Sequence, residues 1–146
     1  MVENIIEIKV FSQEMYLFAN KLTIQLTEGQ KTLSVESFCA ILESPNTHLF
    51  MIYDADGIPT GMLTVAVYHT ATGSKAWIED VTVDENFRGR GYGKKIVEHA
   101  IEFIRNSGVD ALSLTSNASR VAANELYQKS GFELYPTNVY RMKLSK

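Results

Sequence analysis

The chain has 146 residues, 45% of them hydrophobic and 21% charged, with a formal net charge of −3. A chain this long buries about 68–70% of its unfolded surface, so one domain over 1–146 with a full core is expected, and the acidic balance argues against a dedicated nucleic-acid binder. The single Cys39 excludes an internal disulfide, and the lack of a leader pattern or an 18-residue apolar run excludes a membrane partner and predicts a soluble cytoplasmic protein.

Residues 4–11 alternate, with Ile6, Ile8 and Val10 on one side and Glu7 and Lys9 on the other, which predicts a half-buried strand. Ser12 then offers an N-cap, and Met15, Phe18, Leu22 and Leu26 recur at helical spacing, so 13–28 is an amphipathic helix ended by Gly29. Ser34 caps a second, short helix with Val35, Phe38, Ile41 and Leu42 on one face, and Pro45 closes it. Cys39 lies in that apolar pattern and is expected to be a buried structural thiol.

Residues 48–53 form an apolar strand, Asp54 to Gly57 a turn, 59–69 a strand with an irregular start at Pro59 and Gly61, and 75–83 a strand rich in β-branched and aromatic residues. Short turns between these three predict an antiparallel meander. A polar turn and an Arg/Gly-rich loop follow, then a helix from about 92 to 106 with Ile96, Val97, Ala100, Ile101 and Ile104 on one face. Residues 109–115 form a strand, and 119–129 a helix with Ala123, Leu126 and Tyr127 on one face. Residues 132–135 and 138–144 are expected to form a final strand pair joined through Pro136. The strand–helix–strand unit over 77–115 predicts one parallel pair with a right-handed crossover. The fold class is therefore mixed α/β: a largely antiparallel sheet with one parallel pair, flanked by helices.

The loop between strand and helix, Arg88-Gly89-Arg90-Gly91-Tyr92-Gly93, is the most chemically distinctive stretch. A helix start leaves N–H groups without intrahelical partners and carries partial positive charge, and glycines let bare backbone approach a ligand closely. Such a site suits a phosphate, and Arg88, Arg90, Lys94 and Lys95 add charge around it. Lys94 and Lys95 equally fit an exposed helix face. His48, His69 and His99 have no metal-ligand spacing, so no metal is expected.

That loop resembles the acyl-CoA pyrophosphate loop of the GCN5-related N-acetyltransferase (GNAT) superfamily, whose pattern is Arg/Gln-x-x-Gly-x-Gly/Ala. Leu126-Tyr127-Gln128-Lys129-Ser130-Gly131-Phe132 is similar to a second segment of that family, Leu-Tyr-x-Lys-x-Gly-Phe, and the order of elements matches along the whole chain. The resemblance implies the acyl-CoA N-acyltransferase fold, with the strands at 77–83 and 110–115 splayed around acetyl-pantetheine. It implies that Val81, Thr82 and Val83 hold pantetheine by backbone groups, while Arg88, Gly89, Arg90, Gly91, Tyr92, Gly93 and Lys94 hold the pyrophosphate. It also makes Tyr127 the general acid; spacing alone fits a core aromatic there as well.

Many members carry Asn seven residues before that Tyr, but Arg120 stands here, with Asn117 and Asn124 nearby. Asn117, Arg120 and Asn124 are candidate cofactor contacts, and Asn117 and Ser119 equally fit helix caps. An acid in the strand Trp77-Ile78-Glu79-Asp80-Val81 often acts as base in this family. Strand alternation sends Glu79 and Asp80 to opposite faces unless a bulge intervenes, and Glu79 is favoured over Asp80. The implied activity is acetyl-CoA-dependent acetylation of a primary amine by direct attack in a ternary complex. Alternatives are a protein N-terminus or lysine as acceptor, or a non-catalytic acyl-CoA-binding module. The partner is thus an amine-bearing small molecule or peptide, for which Leu26, Thr27, Glu28, Gln30 and Tyr140 are candidate lining residues. A homodimer is a family-level expectation.

Overall fold

A computed structural model describes residues 4–145. Five strands lie side by side in sequence order: β1 (Asn4–Ile8), β2 (Thr47–Tyr53), β3 (Pro59–Thr70), β4 (Gly73–Val83) and β5 (Ala111–Leu114). The first four are antiparallel and β5 joins β4 in parallel. Helices α1 (Gln13–Leu26) and α2 (Val35–Glu43) come between β1 and β2, α3 (Tyr92–Arg105) between β4 and β5, and α4 (Val121–Lys129) after β5.

Strand alternation divides the apolar residues between two layers. Ile8, Leu49, Met51 and Met62 meet Phe18, Leu22 and Phe38 of α1 and α2. Phe50, Ile52, Leu63, Val65 and Ile78 meet Ile96, Val97, Ala100 and Ile104 of α3 and Tyr127 of α4. The sheet is thus packed between two helical layers, as the mixed α/β expectation required. Both long connections begin as the sequence suggests: Ser12 Oγ accepts from Met15 N at 3.1 Å, and Ser34 Oγ accepts from Ser37 N at 3.1 Å.

Three expectations need correction. β1 ends at Ile8, so Val10 is 78% exposed instead of continuing the strand face. Cys39 is half-buried, because α2 turns only Phe38 fully into the core. The expected strand pair at 132–135 and 138–144 is not formed: β5 is the last strand among the described residues, and 133–145 run outside the sheet. Gly131 (φ 105) turns the chain back at the end of α4, and Phe132 N donates to Tyr127 O at 3.0 Å. Beyond Phe132 the large apolar side chains are exposed.

Candidate active site

The parallel pair sets the site. Its register runs from Lys75 opposite Ala111 to Ile78 opposite Leu114, where β5 ends while β4 continues to Val83. Past Ile78 the β4 edge has, among the described residues, no strand beside it, so it faces a split in the sheet. A cleft of about 130 Å³ opens there. β4 lines it with Ile78, Glu79, Asp80 and Val81, the end of β5 with Leu114 and Thr115, α4 with Arg120 and Tyr127, and α1 with Leu26. Ligands bind outside the carboxyl ends of parallel strands where neighbours diverge, and this cleft occupies that position.

A bulge orients the acidic pair. Met62 pairs with Thr82 and Thr64 with Glu79, so Asp80 and Val81 together oppose the single Leu63. Asp80 takes φ 55, a left-handed conformation that Asp tolerates better than most residues. Strict alternation is therefore broken, and both Glu79 and Asp80 line the cleft. Partial burial, and then the charge of Asp80, raise the Glu79 pKa above its ordinary 4.5. Thr82 is buried and its Oγ1 donates to Asp80 O at 3.0 Å, which holds the bulge closed.

Tyr127 is 6% exposed, its ring edge-on to Phe132 at 6.2 Å. It belongs to the core cluster and lines the cleft at once. Burial raises its pKa above 10.0, and the nearby Arg120 charge partly opposes that shift. Its phenol is therefore protonated at neutral pH.

The glycine loop lies between β4 and α3. Asp84 caps a 3-10 turn (Glu85–Phe87), and Arg88 to Gly91 then lead into α3. Gly89 has φ 77 and Gly91 φ 86, with open space where a Cβ would stand. Gly91 is the N-cap, so no side chain caps the first-turn amides. Gly93 packs instead, with Leu126 Cδ2 and Val83 Cγ2 each 3.7 Å from its would-be Cβ. Arg88 is exposed, and the Arg90 guanidinium lies 5.3 Å from the centre of the Phe87 ring. Lys94 pairs with Glu98 at 3.8 Å, and Lys95 lies 5.9 Å from the centre of the Tyr92 ring. Tyr92 itself is buried, in contact with Phe87.

The segment after β5 is locally self-satisfied in part. Asn117 Oδ1 accepts from Ser119 N at 2.9 Å and Ser119 Oγ at 2.7 Å. Asn124 Nδ2 donates to Asn117 O at 2.9 Å and Arg120 O at 2.8 Å. These amides shape the turn into α4, while Arg120 alone of the three candidates lines the cleft. Ser116 Oγ, one residue beyond the cleft-lining Thr115, is buried without a hydrogen-bond partner among the described residues.

Residues that sequence spacing did not single out fix the frame. Lys21 Nζ donates to Asp84 Oδ2 at 2.8 Å across 63 positions of sequence. Gln25 Nε2 donates to Val83 O at 2.8 Å, and Gln25 Oε1 accepts from Glu85 N at 3.1 Å. α1 is thereby tied to the end of β4 just before the glycine loop. No local pattern announces such pairs. Of the candidate acceptor residues Leu26 lines the cleft, whereas Glu28, Gln30 and Tyr140 are exposed. No group of three or more potential metal-ligating side chains occurs among the described residues.

Comparison with known proteins gives this geometry a family. The model of the Acetyltransferase (GNAT) family matches residues 15–132. The uncharacterized N-acetyltransferase YhdJ of Bacillus subtilis is 28% identical over 116 residues, covering 75% of this chain and 80% of its own. The thialysine N-epsilon-acetyltransferase of Sus scrofa is 29% identical over 119 residues, covering 76% and 68%. An aminoglycoside acetyltransferase from an uncultured soil metagenomic sample, solved with sisomicin, superposes with a TM-score of 0.84 over 99% of this chain and 97% of its own. Its 18% identity speaks for the fold alone. The family model spans the bulged strand, the glycine loop and the Tyr127 helix together, and the chain therefore belongs to the Acetyltransferase (GNAT) family and with it to the N-acetyltransferases.

Proposed function

We propose that this chain acetylates a small cationic amine from acetyl-CoA, with both substrates bound together in the cleft. The observation that carries the reading is the split between β4 and β5, lined by two carboxylates and a buried phenol. The residues fit acetyl-CoA. The β4 edge past Ile78 offers backbone groups of Val81 and Val83 to the pantetheine amides, as in strand addition, while Thr82 pairs with Met62 of β3. The uncapped amides at Gly91–Lys94, with Arg88 and Arg90, suit a pyrophosphate. Gly89 and Gly91 leave space beside that backbone. Arg120 supplies a further positive charge at the cleft, and the Ser116 hydroxyl retains a free hydrogen-bonding position.

Bound acetyl-CoA supplies the thioester carbonyl that the amine attacks. An alkyl ammonium must first lose a proton, and the Glu79 carboxylate, with its pKa raised above the ordinary 4.5 by burial and by Asp80, accepts it directly or through water. The second carboxylate, Asp80, keeps the cleft attractive to a cation. Tyr127 Oη donates a proton to the departing thiolate. Burial keeps the phenol protonated at neutral pH, so it holds a proton to give as the thiolate develops. Both reactants share the cleft, so no covalent enzyme adduct is needed.

The test is acetyl-CoA consumption across a panel of polyamines, amino sugars, lysine analogues and peptide N-termini. Turnover with small polyamines, amino sugars or lysine analogues, lost about 10²-fold or more in Tyr127→Phe without loss of CoA binding, is the expected result. Turnover confined to peptides would move the acceptor to proteins. CoA binding with no acceptor turned over would leave a binding module.

A further inference from the structure

Trp77 is the chain's single tryptophan, and among the described residues it belongs to neither core layer. Its neighbours Ala76 and Ile78 pack toward α3. Trp77 therefore points to the opposite face of β4, the face that also presents Glu79. On that face the register sets it in a row of small residues, with Ala66 of β3 on one side and Ser113 of β5 on the other. Thr64 likewise stands opposite Glu79. The half-buried indole thus rises from the sheet with little beside it. Trp77 Nε1 donates to Tyr68 Oη at 2.8 Å, and Tyr68 is 40% exposed. That bond fixes the two rings against each other and occupies the one donor of the indole. Aromatic side chains held in one orientation outside a core give a ligand a large contact area at low entropic cost.

We propose that Trp77 and Tyr68 form a seat for an aromatic ring of the acceptor, which makes the preferred acceptor an arylalkyl amine. Trp77 and Glu79 are two residues apart on one strand, so their side chains leave the backbone about 6–7 Å apart on one face. A ring resting on the indole and a nitrogen at the Glu79 carboxylate are then joined by a short carbon chain. The ring packs stacked or edge-on, as aromatic pairs do. Lys75 stands on the same face, opposite Tyr68. Its charge repels a second ammonium at that end, so a polyamine fits the seat less well. The indole N–H is already bonded to Tyr68, so the hydroxyls of an amino sugar find few partners there and lose their hydration. The place of the nitrogen at Glu79 rests on the proposed function; the ring seat does not.

As the single tryptophan, Trp77 reports on its own surroundings. Its fluorescence, excited where a phenyl ring does not absorb, is followed in the native chain saturated with coenzyme A. A phenylalkyl amine should change it saturably, and an n-alkyl amine of the same chain length should not. In turnover with acetyl-CoA, phenylalkyl amines of increasing chain length should show a length optimum and a higher kcat/KM than their n-alkyl partners. Trp77→Ala should lower that phenyl-to-alkyl ratio about tenfold. Trp77→Phe and Tyr68→Phe, which keep both rings, should lower it less. A fluorescence signal unmoved by phenylalkyl amines up to millimolar concentration overturns the proposal. So does an equal loss for both amines in Trp77→Ala, which would make the indole a support of the strand. A stronger response to an amino sugar or a polyamine than to any phenylalkyl amine also overturns it. A saturable response to phenylalkyl amines with no amine turned over would leave the ring seat standing and count against the proposed function alone.

Discussion

At the scale of single residues, the acidic pair shows how backbone geometry sets chemistry. Glu79 and Asp80 are neighbours in sequence, and only the bulge opposite Leu63 lets both line one cleft. Asp80 contributes to the raised Glu79 pKa as a nearby like charge. The sign of a test follows. If Glu79 accepts the proton, kcat/KM for the amine rises with pH as Glu79 ionises. Asp80→Asn removes the repulsion, so Glu79 ionises at lower pH and the acidic limb of the profile moves down. Glu79→Gln should lower kcat/KM by about 10²-fold and remove that limb, since general-base assistance is worth about 10²–10⁴-fold. An unmoved limb in Asp80→Asn would show that another group titrates there.

At the scale of elements, what matters is how α1, the end of β4 and the glycine loop are held together. Asp84 is 2% exposed. Burial alone would raise its pKa, but the Lys21 hydrogen bond, the Asn86 backbone and side-chain donors and the Lys21 charge outweigh it, and the net shift is downward. A carboxyl with a depressed folded-state pKa stabilises the fold fully above its unfolded value of about 3.9, and that contribution is lost as pH falls through the folded value. Asp84→Ala should therefore cost about 1–3 kcal/mol at neutral pH, read by denaturant unfolding, with the deficit shrinking in acid. In the loop, Gly91→Ala puts a Cβ at φ 86 with open space around it, so the cost is conformational, about 1–2 kcal/mol. If the loop grips a phosphate, weaker CoA binding should accompany that loss.

These two sites also mark what the sequence makes legible. The glycine loop is visible because its chemistry is local: positive-φ backbone and a helix start within six residues. The helix faces are visible because apolar period encodes them, as at Phe18 and Leu22 of α1 and Ile96, Val97, Ala100 and Ile104 of α3. The Lys21–Asp84 tie is invisible, because nothing at either position specifies a partner 63 residues away. The bulge is open in the sequence, since Glu79-Asp80-Val81 fits regular alternation equally well. The terminal strand pair is expected from alternation alone, which reports a tendency to pair and not where the pairing partner lies.

At the scale of the whole molecule, charge distribution opposes its own ligand. The chain carries a net −3, so coenzyme A, itself strongly anionic, approaches a body of like sign. On the proposed function, binding leans on the local basic cluster at Arg88, Arg90 and Lys94, whose exposed charges act through solvent and are screened by salt. Raising ionic strength from about 0.05 to 0.5 M shortens the Debye length from about 14 to 4 Å, and CoA affinity should fall about tenfold or more over that range. Arg88→Ala with Arg90→Ala should weaken binding by at least a similar factor at low salt and flatten the dependence. A phosphate-free pantetheine thioester should bind the native chain and the double variant alike, because the β4 edge proposed to receive it is untouched. Equal weakening of that fragment would place the two arginines in the folding of the loop, not in the capture of a diphosphate.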